Sequence, residues 1–476
     1  MKHLNEQNRD PFPTSSVEGE EHHSARSPYT NTPHNLPSPS TGEGARKKVG
    51  IVGGGAAGFF LAINVKELVP ELDVTIFERQ RKVLAKVEIS GGGRCNCTNT
   101  FADVTDLKQV YPRGANLLKR LFKQFSPADA FQWFETHGVP LTIQEDQCVF
   151  PEAQDSHAII DCFLREARRH NIHIQLGTKI EEPTTLLQDF DFVAVTTGGM
   201  PTNGTHPTGL PSPSTGEGSG ENVWERVCPS LFTFTIPDPT LTALQGLVVN
   251  DAIVHIPATS FRSQGPLLIT HWGMSGPAIL KLSSYAARHL AEQHYQSPLL
   301  VNWTGNSNME EVRQHLLYTI KQNAHKLIDN LRLPLTHTPT PRTVPLALHG
   351  RGGRGEGLES LLLPSRLWAY LLSKAGLQGK RCSELGKKGI NRLTDQLCND
   401  TYTIAGRSPY KDEFVTCGGI PLDSVDKTTL ESKTTPHLFY AGEVLDIDGV
   451  TGGFNFQAAW TTAYAVARGI AAKLEA

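Results

Sequence analysis

The 476-residue sequence predicts an α/β protein whose first domain is assembled from both ends of the chain, with a β-rich domain and a small helical subdomain inserted between them. Three observations carry that expectation. KKVGIVGGGAAGFFLAINVKEL (47–68) followed by DVTIFER (73–79) reads as a β-branched strand, a glycine turn, an apolar helix and a second strand, a βαβ unit. From about residue 231 the texture changes to proline-punctuated strands, FTFTIPDPTLTALQGLVVNDAIVHIP. The chain then ends in PHLFYAGEVLDIDGV (436–450) and GGFNFQAAWTTAYAVARGIAAKL (452–474), a strand, a turn and a long Ala-rich helix that complete the first pattern.

Length and composition bound the possibilities. A chain of this size holds two or three domains. An apolar content of 38%, a charged content of 20% and a net charge of −3 describe an ordinary globular protein, without the basic excess that a phosphate backbone demands, so the expected partner is a small-molecule substrate and not nucleic acid. No run approaches the roughly 18–20 apolar residues of a membrane span, and the N-terminus lacks a basic start before an apolar core, so a cytoplasmic protein without a membrane partner is expected. Oligomeric state has no signature in the sequence. The eight cysteines (95, 97, 148, 162, 228, 382, 398 and 417) form no CxxC pair, which suits reduced thiols and offers no metal site.

The elements follow in order. Residues 1–45 are polar and Pro/Ser/Thr-rich, and are expected to be a disordered tail. LPSPSTGEG at 36–44 returns at 210–218, too polar and too few for a solenoid, and reads as an inserted low-complexity segment, as does 336–357. Residues 46–225 are assigned to the first domain: helices at 116–137 and 156–170, then strands in IHIQLGTKI and DFVAVTTGG. Residues 226–305 are assigned to the β-rich domain, 306–405 to the helical subdomain and 406–476 to the returning part of the first domain.

The chemistry begins at Gly53, Gly55 and Gly58, a G-x-G-x-x-G after a strand and at the opening of a helix, with Ala56 and Ala57 inside the turn. The first glycine permits the tight turn, the second lets the backbone approach a pyrophosphate, and the third lets helix and strand pack closely. The helix start offers unpaired N–H groups to phosphates. Glu78, 20 residues beyond Gly58 and next to Arg79, stands where a carboxylate can accept the hydroxyls of an adenosine ribose. Such a fold binds NAD or FAD. Gly442, Glu443 and Asp446, then Gly452 and Gly453 before Phe454, Asn455 and Gln457, argue for FAD: an acid can hold a ribityl hydroxyl, and a glycine turn into a helix can face the flavin's pyrimidine edge.

Taken together, ISGGGRCN (89–96), VFPEAQDSHAIID (149–161), ITHWGMSGPAIL (269–280), VTCGGI (415–420), LESK (430–433) and AGEVLDIDGVTGGFNFQAAW (441–460) resemble the BaiN/YhiN family of bacterial NAD(P)/FAD-dependent oxidoreductases, some labelled aminoacetone-oxidase-like. The resemblance implies a fold of the two-dinucleotide-binding-domain flavoprotein type, with a Rossmann-like FAD domain. It also implies that Lys86 and the loop of Ser90, Gly91, Gly92, Gly93, Arg94, Cys95, Asn96 and Asn99 contact the flavin dinucleotide. Thr197, Gly198 and Gly199 resemble the family's ATGG turn, and Ile180 aligns with the residue whose backbone meets the adenine. Cys97 falls outside the pattern, Phe454 stands where tyrosine is common, and Ala85 stands where arginine usually precedes Lys86.

Two residues are candidates for catalysis. Cys95, beside arginine and flavin, is either a nucleophile or a packing residue under the cofactor; a Cys95–Cys97 disulfide would be strained, and two thiols alone do not make a zinc site. His271, in THWGMSGPA at a strand end before a helix, is either a proton donor or part of a helix start capped by Ser275. The reading is an oxidoreductase that moves hydride between flavin N5 and a small organic substrate, fed by NADH or NADPH binding transiently. An amine oxidase using oxygen, and a non-enzymatic flavin- or RNA-associated protein, are the alternatives.

Overall fold

A computed structural model describes residues 46–199, 225–331, 363–408 and 415–475. The expected disordered tail, both LPSPSTGEG segments and the 336–357 segment lie outside the described residues.

Alternating β-branched strands and apolar helices build a parallel sheet, as the βαβ reading requires. Its five strands run in the order Leu438–Tyr440, Phe192–Val195, Lys48–Val52, Asp73–Glu78, His173–Leu176, all parallel, with Gly50 opposite both Thr75 and Val193. The strand from the far end of the chain thus closes one edge of a sheet begun near residue 48. Behind it the helix Ala56–Leu68 packs on the terminal helix Phe454–Glu475: Phe59, Phe60 and Trp460 are fully buried, with the rings of Phe60 and Trp460 5.2 Å apart. Each such side chain contributes roughly 1.5–3 kcal/mol of burial. Small alanines on the terminal helix let the two helices approach.

The second layer is a seven-stranded sheet in the order Asp400–Ile404, Ser297–Asn302, Val248–His255, Arg262–Thr270, Gly273–Ser275, Phe234–Thr235, Gly406–Arg407, and its pairs are antiparallel. The helices Met309–Gln322, Ser365–Ala375 and Lys387–Cys398 share one hydrophobic core with this sheet, through Val312, Leu316, Leu371 and Leu393 among others. The residues assigned from sequence to a helical subdomain therefore include a strand, Asp400–Ile404, and residues 406–407 also pair in this sheet. Two strands join the layers, Glu225–Ser230 against Val415–Gly419, with Cys228 opposite Cys417.

One predicted helix is broken in two. Residues 116–137 form Ala115–Leu121 and Pro127–Thr136, because Ser126 makes a capping box with Asp129 and Pro127 takes the first helical position, where its missing N–H costs nothing. No helix among the described residues is long and apolar enough to cross a membrane.

Candidate active site

The glycine turn is shaped by packing at two positions and left open at the third. Gly53 has φ +115°, and a Cβ there would lie 2.5 Å from the Thr196 carbonyl oxygen; at Gly58 it would lie 2.0 Å from that of Gly53. At Gly55 a Cβ would meet nothing within 4 Å, and Gly55 begins the helix Ala56–Leu68 without a side-chain cap. The first-turn N–H groups around Ala56 and Ala57 are thus available to an anion. Glu78 is fixed at the same turn: Oε2 accepts from the Gly54 N–H and Oε1 from the Gln80 N–H, both at 2.8 Å, and each oxygen keeps a lone pair for a hydroxyl. Arg79 is exposed, and Ile180, beyond the strand His173–Leu176, is half-buried against the first core.

The SGGGRCN stretch is a second open wall. Gly91, Gly92 and Gly93 have φ of +57°, +68° and +83°; a Cβ at Gly92 or Gly93 would again meet nothing within 4 Å, whereas at Gly91 it would press on the Asn96 nitrogen at 2.9 Å. Ser90 Oγ donates to the Val87 carbonyl (2.7 Å), and the Arg94 guanidinium lies 4.5 Å over the Phe150 ring. Cys95 is fully buried at φ +59°. Burial pushes its thiol up to about 12 against the pull of a Ser90 hydrogen bond, which is the condition of a packing residue and not of a thiolate nucleophile. Cys95 and Cys97 are both free thiols.

Several residues expected to touch the flavin make hydrogen bonds within the surrounding loops. The Asn96 amide nitrogen donates to Thr98 O (2.9 Å) and its oxygen accepts from Gly453 N–H (3.2 Å). Asn99 Nδ2 donates to Gly452 O (3.1 Å). Asn455 grips Gly449 from both sides, accepting from its N–H (2.8 Å) and donating to its C=O (2.9 Å). Gln457 is fully buried between Thr98 and Thr461. Phe454 turns into an aromatic cluster with Phe101 and Tyr111, its carbonyl accepting from Tyr111 Oη at 2.8 Å. Gly452 and Gly453 are closely packed: at φ +129° and +85°, a Cβ would lie 2.8 Å from the Phe454 ring at Gly452 and 2.2 Å from Thr98 O at Gly453.

The acids at the far end divide in a similar way. Glu443 accepts from Thr416 N–H (2.7 Å) and pairs with Lys86 at 3.2 Å, while Gly199 fits so closely that its Cβ would fall 2.8 Å from Glu443 Oε1. Thr197 and Gly198 precede it at the end of the strand Phe192–Val195, and Gly442 N–H is held by Thr462 Oγ1 (2.9 Å). Asp446 is already engaged by Arg288 (2.8 Å) and Gly418 N–H (3.1 Å).

His271 is exposed in the turn between the strands Arg262–Thr270 and Gly273–Ser275, its ring edge-on to Trp272 at 4.4 Å. The expectation of a Ser275-capped helix directly after the strand is corrected here. Ser275 belongs to a short intervening strand opposite Leu268, and Gly276, at φ +91°, is the cap of Pro277–Tyr285 without a side-chain bond. Two residues that join the layers beside this site carry no sequence signal: Arg113, which pairs with Asp448 and donates to Ser284 O (2.9 Å), and Arg288, which reaches Asp446 (2.8 Å); Lys281 and Thr416 lie near them without a motif of their own. No local motif marks them: the partners of Arg113 and Arg288 lie more than 150 residues away in the chain, and Lys281 has no hydrogen-bond or ion-pair partner among the described residues.

Open glycine flanks at 55, 92 and 93, an acid fixed beside the turn and uncapped helix N–H groups fit an extended FAD, which would lie from the Glu78 turn to the Gly452–Gly453 turn. Fold and site together define an FAD-binding, Rossmann-type oxidoreductase. The chain belongs to the family described as HI0933-like protein Rossmann domain, whose family model matches residues 47–469. It is 28% identical over 438 residues to a ribosomal RNA dihydrouridine synthase of Haemophilus influenzae, covering 88% of this chain and 97% of that protein. It is 27% identical to the protein of the same name from Escherichia coli, covering 89% and 97%, and 23% identical over 441 residues to a 3-dehydro-bile acid delta(4,6)-reductase of Clostridium scindens, covering 89% and 99%.

Proposed function

We propose that this protein is an FAD-dependent reductase that takes hydride from NADH or NADPH and delivers it to a carbon–carbon double bond conjugated with a carbonyl. The observation that carries this reading is the near full-length likeness to relatives named for two reactions with that one chemistry. Dihydrouridine is uridine whose C5=C6 bond, conjugated with C4=O, has been reduced, and a delta(4,6)-reductase acts on double bonds conjugated with a 3-oxo group. Either reduction adds hydride to a carbon made electron-poor by conjugation with the carbonyl and a proton to the carbon that takes up the displaced electron pair. An amine oxidase would need the opposite direction of hydride flow, and nothing in the site favours it.

Of these two substrates we favour a uracil in ribosomal RNA, the one named for the relatives with 28% and 27% identity against 23%. A net charge of −3 argues against long-range capture of RNA, but it is a sum over the whole chain and leaves room for local phosphate contacts. When bound, FAD supplies the hydride; this chain's residues would hold its pyrophosphate at the Gly53–Gly58 turn and its ribose at Glu78, and shield the reacting face between the two layers.

The test is direct. Purified protein with NADPH is incubated anaerobically with unmodified ribosomal RNA, and separately with steroid and simple enones, and products are read by nucleoside and small-molecule mass spectrometry. A gain of two mass units on uridine supports the reading as stated. Reduction of enones alone keeps the reductase and replaces its substrate. Reduction of neither, by a flavin-loaded protein, overturns the proposal.

A further inference from the structure

Reduction of a conjugated double bond needs a proton donor opposite the hydride, and the two candidates from sequence are poorly suited to it: Cys95 is sealed and His271 sits in an exposed turn. The helix Pro277–Tyr285 offers a third. One face of it, through Ala278, Ile279, Leu282 and Ser283, is buried in the core of the seven-stranded layer. The opposite stripe meets the FAD-binding layer at helical spacing: Ser284 O accepts from Arg113 (2.9 Å), Tyr285 Oη donates to Gln109 O (2.8 Å), and Arg288, on the next turn, reaches Asp446 (2.8 Å). Lys281 belongs to that stripe, one turn before Ser284.

Its surroundings are those of the flavin's end of the site. The ionisable side chain that acts on Lys281 is Cys148. Cys148 lies opposite Asn99 in the sheet, and Asn99 in turn holds Gly452 O (3.1 Å), part of the glycine pair expected to face the flavin. No hydrogen bond or ion pair engages Lys281 Nζ among the described residues, so a long cation lies at the junction of the two layers with its donors unused. Lys281 is half-buried there, so its ammonium is open to a molecule bound between the layers.

We propose that Lys281 is a catalytic residue: its ammonium faces the substrate carbonyl and α carbon and supplies the proton of the reduction. The inference rests on the reductase reading above. As hydride adds to the β carbon, the π pair of the double bond moves onto the α carbon and carbonyl oxygen; one N–H bond of Lys281 then breaks as the α C–H bond forms, and water returns the proton to the neutral amine. NADH or NADPH supplies the two electrons and the hydride. Burial lowers the Lys281 pKa from the usual lysine range, which makes its ammonium a stronger acid than that of a fully solvated lysine, whereas Cys148 is pushed up to about 12 by burial.

The experiment separates the two half-reactions by stopped-flow absorbance of the full-length flavoprotein, comparing wild type with Lys281→Met and Lys281→Gln, with FAD content and melting temperature measured alongside. Expected are unchanged FAD retention, unchanged bleaching by NADPH, a melting temperature no lower than wild type in Lys281→Met, and substrate-driven return of the flavin bands slowed about 100-fold or more. Return within threefold of wild type in both variants overturns the role of Lys281 while leaving the reductase reading intact. Equal slowing of bleaching and return also overturns it, because Lys281 would then be positioning the flavin and not the proton. If wild-type flavin bleaches and no conjugated substrate restores it, the reductase reading fails and takes this inference with it.

Discussion

Arg113 meets Asp448 through both arms of its guanidinium, Nε to Oδ1 and Nη2 to Oδ2, with the Asp448 side chain fully buried and 335 residues away in sequence. The same carboxylate accepts from Ser230 Oγ at 2.8 Å, and the same guanidinium donates to Ser284 O. One ion pair therefore ties the first domain, the strand joining the layers and the helix that carries Lys281.

Removing one member leaves the other buried and uncompensated. Arg113→Met is expected to cost about 3–5 kcal/mol in unfolding free energy by denaturant titration, and the double change Arg113→Met with Asp448→Leu to recover a substantial part. Additive losses in the double variant would show that the pair is not coupled.

Two glycine substitutions should differ in kind. Gly58→Ala drives a methyl to within 2.0 Å of the Gly53 carbonyl and should give poorly soluble or unfolded protein. Gly55→Ala has open space and φ −94°, so its stability should stay within about 0.5 kcal/mol of wild type. The methyl fills the place expected for the pyrophosphate, so FAD affinity should fall tenfold or more, about 1.4 kcal/mol, by fluorescence titration of the deflavinated protein. A Gly55→Ala protein that binds FAD as tightly as wild type would move the phosphates elsewhere.

All eight cysteines are buried, and Cys95 and Cys148 are both pushed up to about 12. Native protein at pH 8 should react with Ellman's reagent only over the time course of opening, and release eight equivalents once denatured. A fast equivalent mapped to Cys95 by peptide mass spectrometry would restore it as a candidate nucleophile.

His137 Nε2 lies 2.9 Å from Glu67 Oε1, and its other nitrogen is 2.7 Å from Trp133 O. Burial opposes charge on His137, but the bonds to Glu67 and Trp133 outweigh it, leaving its pKa above the usual 6.5; burial of Glu67 is likewise outweighed, leaving its pKa below the usual 4.5. The histidine contribution is complete below 6.5 and fades as pH rises through the raised value; the glutamate contribution is complete above 4.5 and fades as pH falls through the lowered one. His137→Gln should therefore lose most stability relative to wild type between pH 4.5 and 6.5, by about 1 kcal/mol or less, measured as denaturation midpoints across pH. A difference independent of pH would assign the loss to the stacking on Trp133 instead.

What could be read from sequence was local or periodic. The strand ending at Val52, the turn at Gly53–Gly58 and the acid at Glu78 lie within one supersecondary unit, whose residue types serve its own geometry, and the Ala-rich terminal helix shows its packing in its composition. The break at Ser126–Pro127 was also written locally, as a cap and a proline, but apolar periodicity on either side concealed it. The strand Asp400–Ile404 was hidden by the helices before it, since its partner lies a hundred residues earlier. At the site, glycines announce themselves, whereas the bonds that Asn96, Asn455 and Gln457 make to neighbouring backbone and threonines carry no sequence signal. Lys281 carries no motif, and its place follows only from which face of its helix the β-rich layer buries.

The most direct test of the account is an absorbance spectrum of the purified protein, followed anaerobically as NADH or NADPH is added and then a conjugated carbonyl substrate or unmodified ribosomal RNA. Flavin bands that bleach with nicotinamide and return with substrate are expected. A well-folded protein that shows no flavin bands, and gains none when FAD is supplied, would contradict it.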